Sequence, residues 1–317
     1  MKRFSSVIIL VLFALVVFTR CKKEVFESRF IEGLTLDNYP KVDGSTSTLP
    51  LNVLIASELL GIEYNDRVFN DGTWGIEPKL NKKNSNKFWS KIQSSQTHQS
   101  FINLINKETD LILSARKMSP DEKIYADAAG VSLIEMPIAL DAFIFIINSY
   151  NPVNSLTIEQ IKDIYTRKTT NWKDVGGNDA SINPYVRNAN SGSQELMESL
   201  VMKDWDINEF PIASEEIIHS MIGVFYAIGD DVNAICYTIY YYKEYILRGL
   251  VNVKSVAVEG IYPDKENISN KSYPYATEVY AVIRSDLAKT SMAYKVYEFL
   301  QTNTGKQVIN KSGYLAN

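Results

Sequence analysis

Three short segments place hydroxyl side chains, two of them with an arginine, where a strand would run into a helix. The first is Asp43 to Pro50 (DGSTSTLP). Pro50 suits a first helical position, and Ser45, Thr46, Ser47 and Thr48 bring hydroxyls beside the unpaired N–H groups of a helix start. Such a start attracts anions, because those N–H groups and the helix dipole both favour negative charge. Taken alone, the segment reads as an N-cap with a polar lead-in. The second is Arg187 to Gln194 (RNANSGSQ). Ser191 to Gln194 fits a capping box, Gly192 lets a ligand come close to the backbone, Ser193 adds a hydroxyl, and Arg187 offers a planar two-pronged grip on an oxyanion. The third, Thr109 to Lys117 (TDLILSARK), runs a strand into Ser114 and Arg116. Ligands of open α/β sheets bind at the carboxyl ends of strands, so three junctions with one chemistry point to a shared anion site.

The elements that must position these segments can be read from periodicity. Leu51, Leu54, Ile55 and Leu59 share one helical face, and Gly61 is placed to end that helix. Thr157 and Gln160 predict a capping box opening another helix, and a last helix is expected over 291–301. Strands are expected at 110–113, 142–147, 182–186, 234–242, 251–258 and 279–283. The polar, Asn- and Lys-containing stretch 66–99 reads as a long loop or insertion. Alternating strands and helices predict an α/β architecture with largely parallel sheets. The tyrosines from Tyr237 to Tyr245 read as a packing stripe rather than a platform for stacking bases, and Cys236 as a buried small hydrophobe.

Composition removes several classes of function. The 317 residues carry a net charge of −4, with 45 % hydrophobic and 22 % charged residues, which is ordinary for a folded chain of two domains. An acidic chain without a long basic run is a poor nucleic-acid binder, so none is expected. Nucleotide-binding glycine motifs, a nucleophile elbow and H-E-x-x-H are all missing. Two histidines and two cysteines leave no metal site, cofactor or catalytic residue to assign. His219 reads as a packing or surface residue, and the pairs Asp121/Glu122 and Glu215/Glu216 as solvated helix faces.

Lys2 and Arg3 precede a twelve-residue apolar run, Val7 to Phe18. A spanning helix needs about 17–25 residues, so this is the pattern of an export signal over 1–20. Cys21 follows, and the arrangement resembles a bacterial lipoprotein signal in which that cysteine becomes the lipidated first residue. Arg20 departs from the small residue such signals carry before the cysteine, and an uncleaved membrane anchor is the alternative. Residues 21–37 read as a polar tether. The expected location is outside the cytoplasmic membrane of a bacterium, attached to it.

From residue 41 onward the chain resembles the phosphate-type substrate-binding proteins of bacterial ABC importers. The resemblance rests on Val42 to Leu51, Asp110 to Arg116, Asn151 to Ile161, Asn171 to Gly177 (NWKDVGG), Arg187 to Ser193 and Ser312 to Tyr314, in that order. It implies a two-lobed, type II periplasmic-binding-protein-like clamshell with a mixed sheet in each lobe. Lobe 1 would be 38–138 with 276–317, lobe 2 would be 139–275, and 142–147 and 279–283 would cross between them as hinges. The implied ligand set is Thr46, Ser47, Thr48 and Leu49, then Ser114, then Arg187, Ser191, Gly192 and Ser193. The implied partners are inorganic phosphate or a related oxyanion and an ABC permease, with the binding protein itself a monomer. A sensor or adhesion-type binding protein of the same fold is the alternative. Phosphate keeps a proton at neutral pH, so a selective site usually offers a carboxylate. Here Ala115 and Arg116 follow Ser114, and Ala189 follows Arg187 by two, leaving Asp43 and Asp141 as substitutes.

Overall fold

The computed structural model describes residues 26–203, 213–247 and 252–317. The export signal and Cys21 lie outside the described residues. The chain opens with β1 (Val42–Gly44), a 3-10 turn over Thr46–Thr48 and α1 (Leu49–Leu60). Then come β2 (Tyr64–Val68), β3 (Trp74–Pro78), α2 (Lys82–Trp89), α3 (Thr97–Ile105), β4 (Leu111–Ser114), α4 (Pro120–Ala128) and β5 (Leu133–Asn148). The middle of the chain holds β6 (Ser155–Leu156), α5 (Ile158–Tyr165), β7 (Asn183–Pro184), β8 (Val186–Arg187), α6 (Gly192–Leu196), β9 (Ile217–Ile218), α7 (Met221–Asp230) and β10 (Ala234–Ile239). It closes with β11 (Val253–Ser255), β12 (Ala257–Val258), α8 (Lys265–Ser269), β13 (Ala276–Arg284), α9 (Met292–Phe299), α10 (Asn303–Lys311) and β14 (Leu315–Ala316).

The fold is two-lobed, and one strand belongs to both lobes. The main sheet runs in the order β1-β4-β13-β5-β10-β7, with β11 and β14 also paired to β5. Along β5, Leu133–Ala142 pairs with β13, and Phe143–Asn148 pairs with β10 and β11. From Ala142 to Ile147 every residue is buried, the mark of a strand covered on both faces. Phe143, Phe145, Tyr165 and Tyr237 pack there with ring centroids 5.2–6.4 Å apart. Pro137 has no N–H for the ladder, and the register with β13 slips beside it, between Val279 and Tyr280.

The expected helices formed at α1, α5, α6 and α9. Gly61 closes α1 at φ +63°, and Thr157 and Gln160 make both halves of their capping box. Several expectations are corrected. The main sheet is mixed, as the family resemblance implies and not largely parallel as strand–helix alternation suggests: β1/β4 and β10/β7 are parallel, and every pair that β5 makes is antiparallel. The chain leaves β5 for the second lobe and re-enters beside it from the opposite end, so no helical crossover sets the strand direction. Val279–Ile283 pairs with Ile134–Ala139 of β5 on one side and with β4 on the other. The stretch 66–99 is not a loop: it holds the β2–β3 hairpin, turned by Asp71 and Gly72 (φ +81°), and all of α2. From Phe26 onward the supposed tether is part of the first lobe, with Ile31, Leu34 and Leu36 in the core. Glu122 is fully buried, not solvated. No helix among the described residues is long and apolar enough to cross a membrane.

Candidate functional site: an oxyanion cleft between the lobes

The first loop is shaped by the close approach of β1 to β4. A Cβ on Gly44 would meet the carbonyl oxygen of Leu113 at 2.3 Å, so only glycine fits. Ser45 N then donates to Leu113 O (3.0 Å), and Thr48 Oγ1 donates to Ser45 O (2.9 Å) and Leu113 O (2.8 Å). These bonds fix the turn that presents Thr46 and Ser47. The Ser45 hydroxyl accepts from Ala115 N (2.9 Å) and shares a hydrogen bond with Thr97 Oγ1 (2.8 Å), binding the starts of α1 and α3 to the end of β4.

Across the gap, β8 ends in Arg187, which is 4 % exposed. Its backbone N–H donates to the Tyr237 hydroxyl (3.0 Å) and to Gln194 Oε1 (3.2 Å). Its Nε donates to Ile218 O (2.8 Å), and Nη1 rests on Met221 Sδ (2.9 Å). Among the described residues it makes no ion pair. Burial lowers its pKa from the ordinary guanidinium value, the sign of a cation taken out of water without a counter-ion. Ser191 caps α6 by accepting from Gln194 N (3.2 Å), and Ser220 caps α7 by accepting from Gly223 N (3.1 Å).

These groups enclose a cleft of about 190 Å³ lined by Ser45 to Ser47, Thr97, Ala115, Arg187, Ser191 to Ser193, and the start of α7, with Tyr242 at one side. The first N–H groups of a helix lack intrahelical partners, so the starts of α1, α3, α6 and α7 add positive potential to Arg187. The polar lining consists of hydroxyls, one guanidinium, the Gln96 amide, His219 and a thioether, a set able to hold a compact anion. No group of three or more His, Cys, Asp or Glu among the described residues could hold a metal ion.

Of the residues singled out from sequence, Thr46, Ser47, Arg187, Ser191, Gly192 and Ser193 line the cleft. Thr48, Leu49 and Ser114 do not. The Thr48 hydroxyl is committed to two carbonyls, the Leu49 N–H donates to Thr46 O, and the Ser114 hydroxyl donates to Arg116 O (2.6 Å). Arg116 is also off the cleft, held by Glu122 through two bonds of 2.8 and 2.7 Å. Asp43 is buried under bonds from Gly44 N (2.7 Å), Ser95 N (2.8 Å) and Asn103 Nδ2 (2.8 Å), and Asp141 sits where β5 changes partners, so neither lines the cleft. Sequence reasoning missed Gln96, Thr97 and the α7 start. Ser220 ahead of an apolar run was a legible cap signal; Gln96, at φ +71°, gave none. His219 is at the surface, one of its two expected places, and lines the cleft.

A two-lobed α/β fold closing on a small polar cleft defines a ligand-binding clamshell. The chain belongs to the PBP superfamily, whose domain model matches residues 73–303. It is 29 % identical over 255 residues to the phosphate-binding protein PstS of Staphylococcus epidermidis, covering 76 % of this chain and 75 % of that one. It is 25 % identical over 271 residues to the protein SphX of Synechococcus elongatus, covering 83 % and 73 %. Among solved structures it is similar to a protein from Clostridium perfringens described as a phosphate ABC transporter substrate-binding protein, with phosphate bound. That likeness has a TM-score of 0.63 at 26 % identity and covers 87 % of this chain and 98 % of the other.

Proposed function

We propose that the protein captures phosphate, or a closely similar tetrahedral oxyanion, between its lobes and delivers it to the permease of an ABC importer. The observation that carries this reading is Arg187, a buried cation without an acidic partner among the described residues, facing a cleft of hydroxyls and helix starts. Thr46 and Ser47 hold the anion from lobe 1, and Arg187, Ser191, Gly192 and Ser193 hold it from lobe 2. Thr48, Leu49 and Ser114 act behind them by fixing the loops. The relatives named for phosphate binding support the choice of ligand. Lobe 1 is taken as 38–138 with 276–317 and lobe 2 as 139–275. Closure over the anion replaces its water shell with fixed donors, and no bond is made or broken, so the protein is a carrier and not an enzyme. It works outside the cytoplasmic membrane as a monomer, attached through a lipid on Cys21 or through an uncleaved signal.

A thermal-shift series with phosphate, sulfate and molybdate tests the reading. A ligand that binds only the folded state raises the melting temperature, and phosphate is expected to do so. No shift with any of the three would overturn it.

A further inference from the structure

A second cavity, about 490 Å³ and larger than the oxyanion cleft, shares no lining residue with it. Its walls come from both lobes. Leu140 on β5, Tyr280 on β13 and Leu196 on α6 are buried and form an apolar surface. Most of the charges around it are already matched. Arg116 is gripped by Glu122, and Lys271 stands 3.7 Å from Glu278. Two are not. Among the described residues Glu195, half-buried on α6, has neither an ion pair nor a side-chain hydrogen bond, and Lys117, exposed after β4, has no ion pair. The Lys117 ammonium lies 5.7 Å from the centre of the Tyr280 ring. Burial raises the pKa of Glu195; Arg116 opposes the rise, while Glu198, Glu122 and Asp121 add to it. An acid in that setting gains from a cation brought to it.

We propose that this cavity binds a small zwitterion carrying an apolar group, the chemistry of an apolar α-amino acid. Its ammonium meets Glu195, its carboxylate meets Lys117, and its side group lies on Leu140, Leu196 and Tyr280. A carboxylate and an ammonium without ion pairs among the described residues, both lining one cavity with an apolar wall, match the two charges of that ligand. Pockets with a largely apolar lining and a few convergent polar groups are where small molecules bind. Because the two charges belong to different lobes, the zwitterion would also favour the closed arrangement.

Calorimetry on the full chain tests this with L-phenylalanine, its amide and its N-acetyl derivative. Phenylalanine is expected to bind, and each derivative, missing one charge, to bind about tenfold more weakly. Glu195→Gln and Lys117→Gln are each expected to weaken phenylalanine by about tenfold while phosphate binding is kept. Absence of binding by phenylalanine, or equal binding by all three compounds, would overturn the proposal. The phosphate titration reads the other cleft, so failure of one site is distinguishable from failure of the other.

Discussion

A Cβ on Gly192 would stand 2.4 Å from Thr97 Oγ1 and 3.2 Å from Thr97 Cβ. Gly192 opens α6 in the second lobe and Thr97 opens α3 in the first, so the lobes meet here with no room for a methyl group. The backbone of Gly192 lies outside the left-handed region, so closeness and not conformation demands the glycine.

Gly192→Ala is therefore expected to weaken oxyanion binding by about 1–3 kcal/mol, the usual cost of overpacking, by holding the lobes apart. Adding Thr97→Ala removes the nearest atom and should recover part of that loss. Calorimetry on the two single variants and the double variant measures the coupling. Strictly additive effects would mean that closure does not use this contact.

Arg187→Ala is expected to cost about 2–5 kcal/mol of phosphate affinity, the range for truncating one partner of a buried charge pair. Arg187→Lys keeps the charge but loses the Nε bond to Ile218 O and the planar grip, so it should fall between. Phosphate titrations alone decide this, and undiminished binding by the alanine variant would remove Arg187 from the site.

Asp141 gives a pH dependence with a definite sign. Burial pushes its pKa up to about 7, against two backbone N–H groups, those of Tyr241 and Ala142, that favour the carboxylate. The unfolded chain titrates near about 3.9. Between those values the folded state holds the extra proton, so stability from this group falls as pH rises to about 7 and is flat above it. Asp141→Asn keeps an acceptor for both N–H groups and cannot ionise. Its melting temperature relative to the native protein should therefore rise between pH 5 and pH 8, by roughly 2–4 kcal/mol in stability terms. A difference that stays constant across that range would contradict the raised carboxyl.

Glu122 neutralises Arg116, accepts from Ser119 N (2.8 Å) and faces His98 Nδ1 (3.0 Å) with none of its side chain exposed. Glu122→Ala leaves Arg116 buried without its partner and should destabilise by about 3–5 kcal/mol in denaturant unfolding. Replacing both residues with apolar ones of similar size should recover much of the loss, because no bare charge remains. A single-variant loss below about 1 kcal/mol would show that water reaches the guanidinium.

Local signals carried most of what was legible in the sequence. Thr157 and Gly61 each act within three or four residues of themselves and did what type and spacing predict. Ser191 caps α6, but Gln194 Oε1 accepts from Arg187 N and the Tyr237 hydroxyl instead of completing the capping box. The Arg187 and Ser191–Ser193 cluster was legible because one strand end and one helix start hold it together. What could not be read depends on distant partners. Thr48 looks like a ligand, yet its hydroxyl is consumed by the carbonyl of Leu113, 65 residues later, whereas the Ser114 hydroxyl is taken up locally, by Arg116 O two residues on. Thr97 enters the cleft only because Ser45, 52 residues earlier, holds it. Glu122 looked solvated because its partner, Arg116, lies outside the helix whose face was being read. Strand direction failed for the same reason, since β13 finds β5 only after the whole second lobe intervenes.

The rings of Tyr241 and Tyr314 stack 3.6 Å apart, Tyr241 OH donates to Ser312 O (2.8 Å), and Tyr314 OH donates to Ser47 O (3.2 Å). The first ligand loop is thus fastened by a residue 267 positions later in the chain. A polypeptide synthesised amino end first presents Ser47 long before Tyr314, and contacts of such separation form late. The loop therefore reaches its final geometry only once the Tyr314 hydroxyl has docked on it.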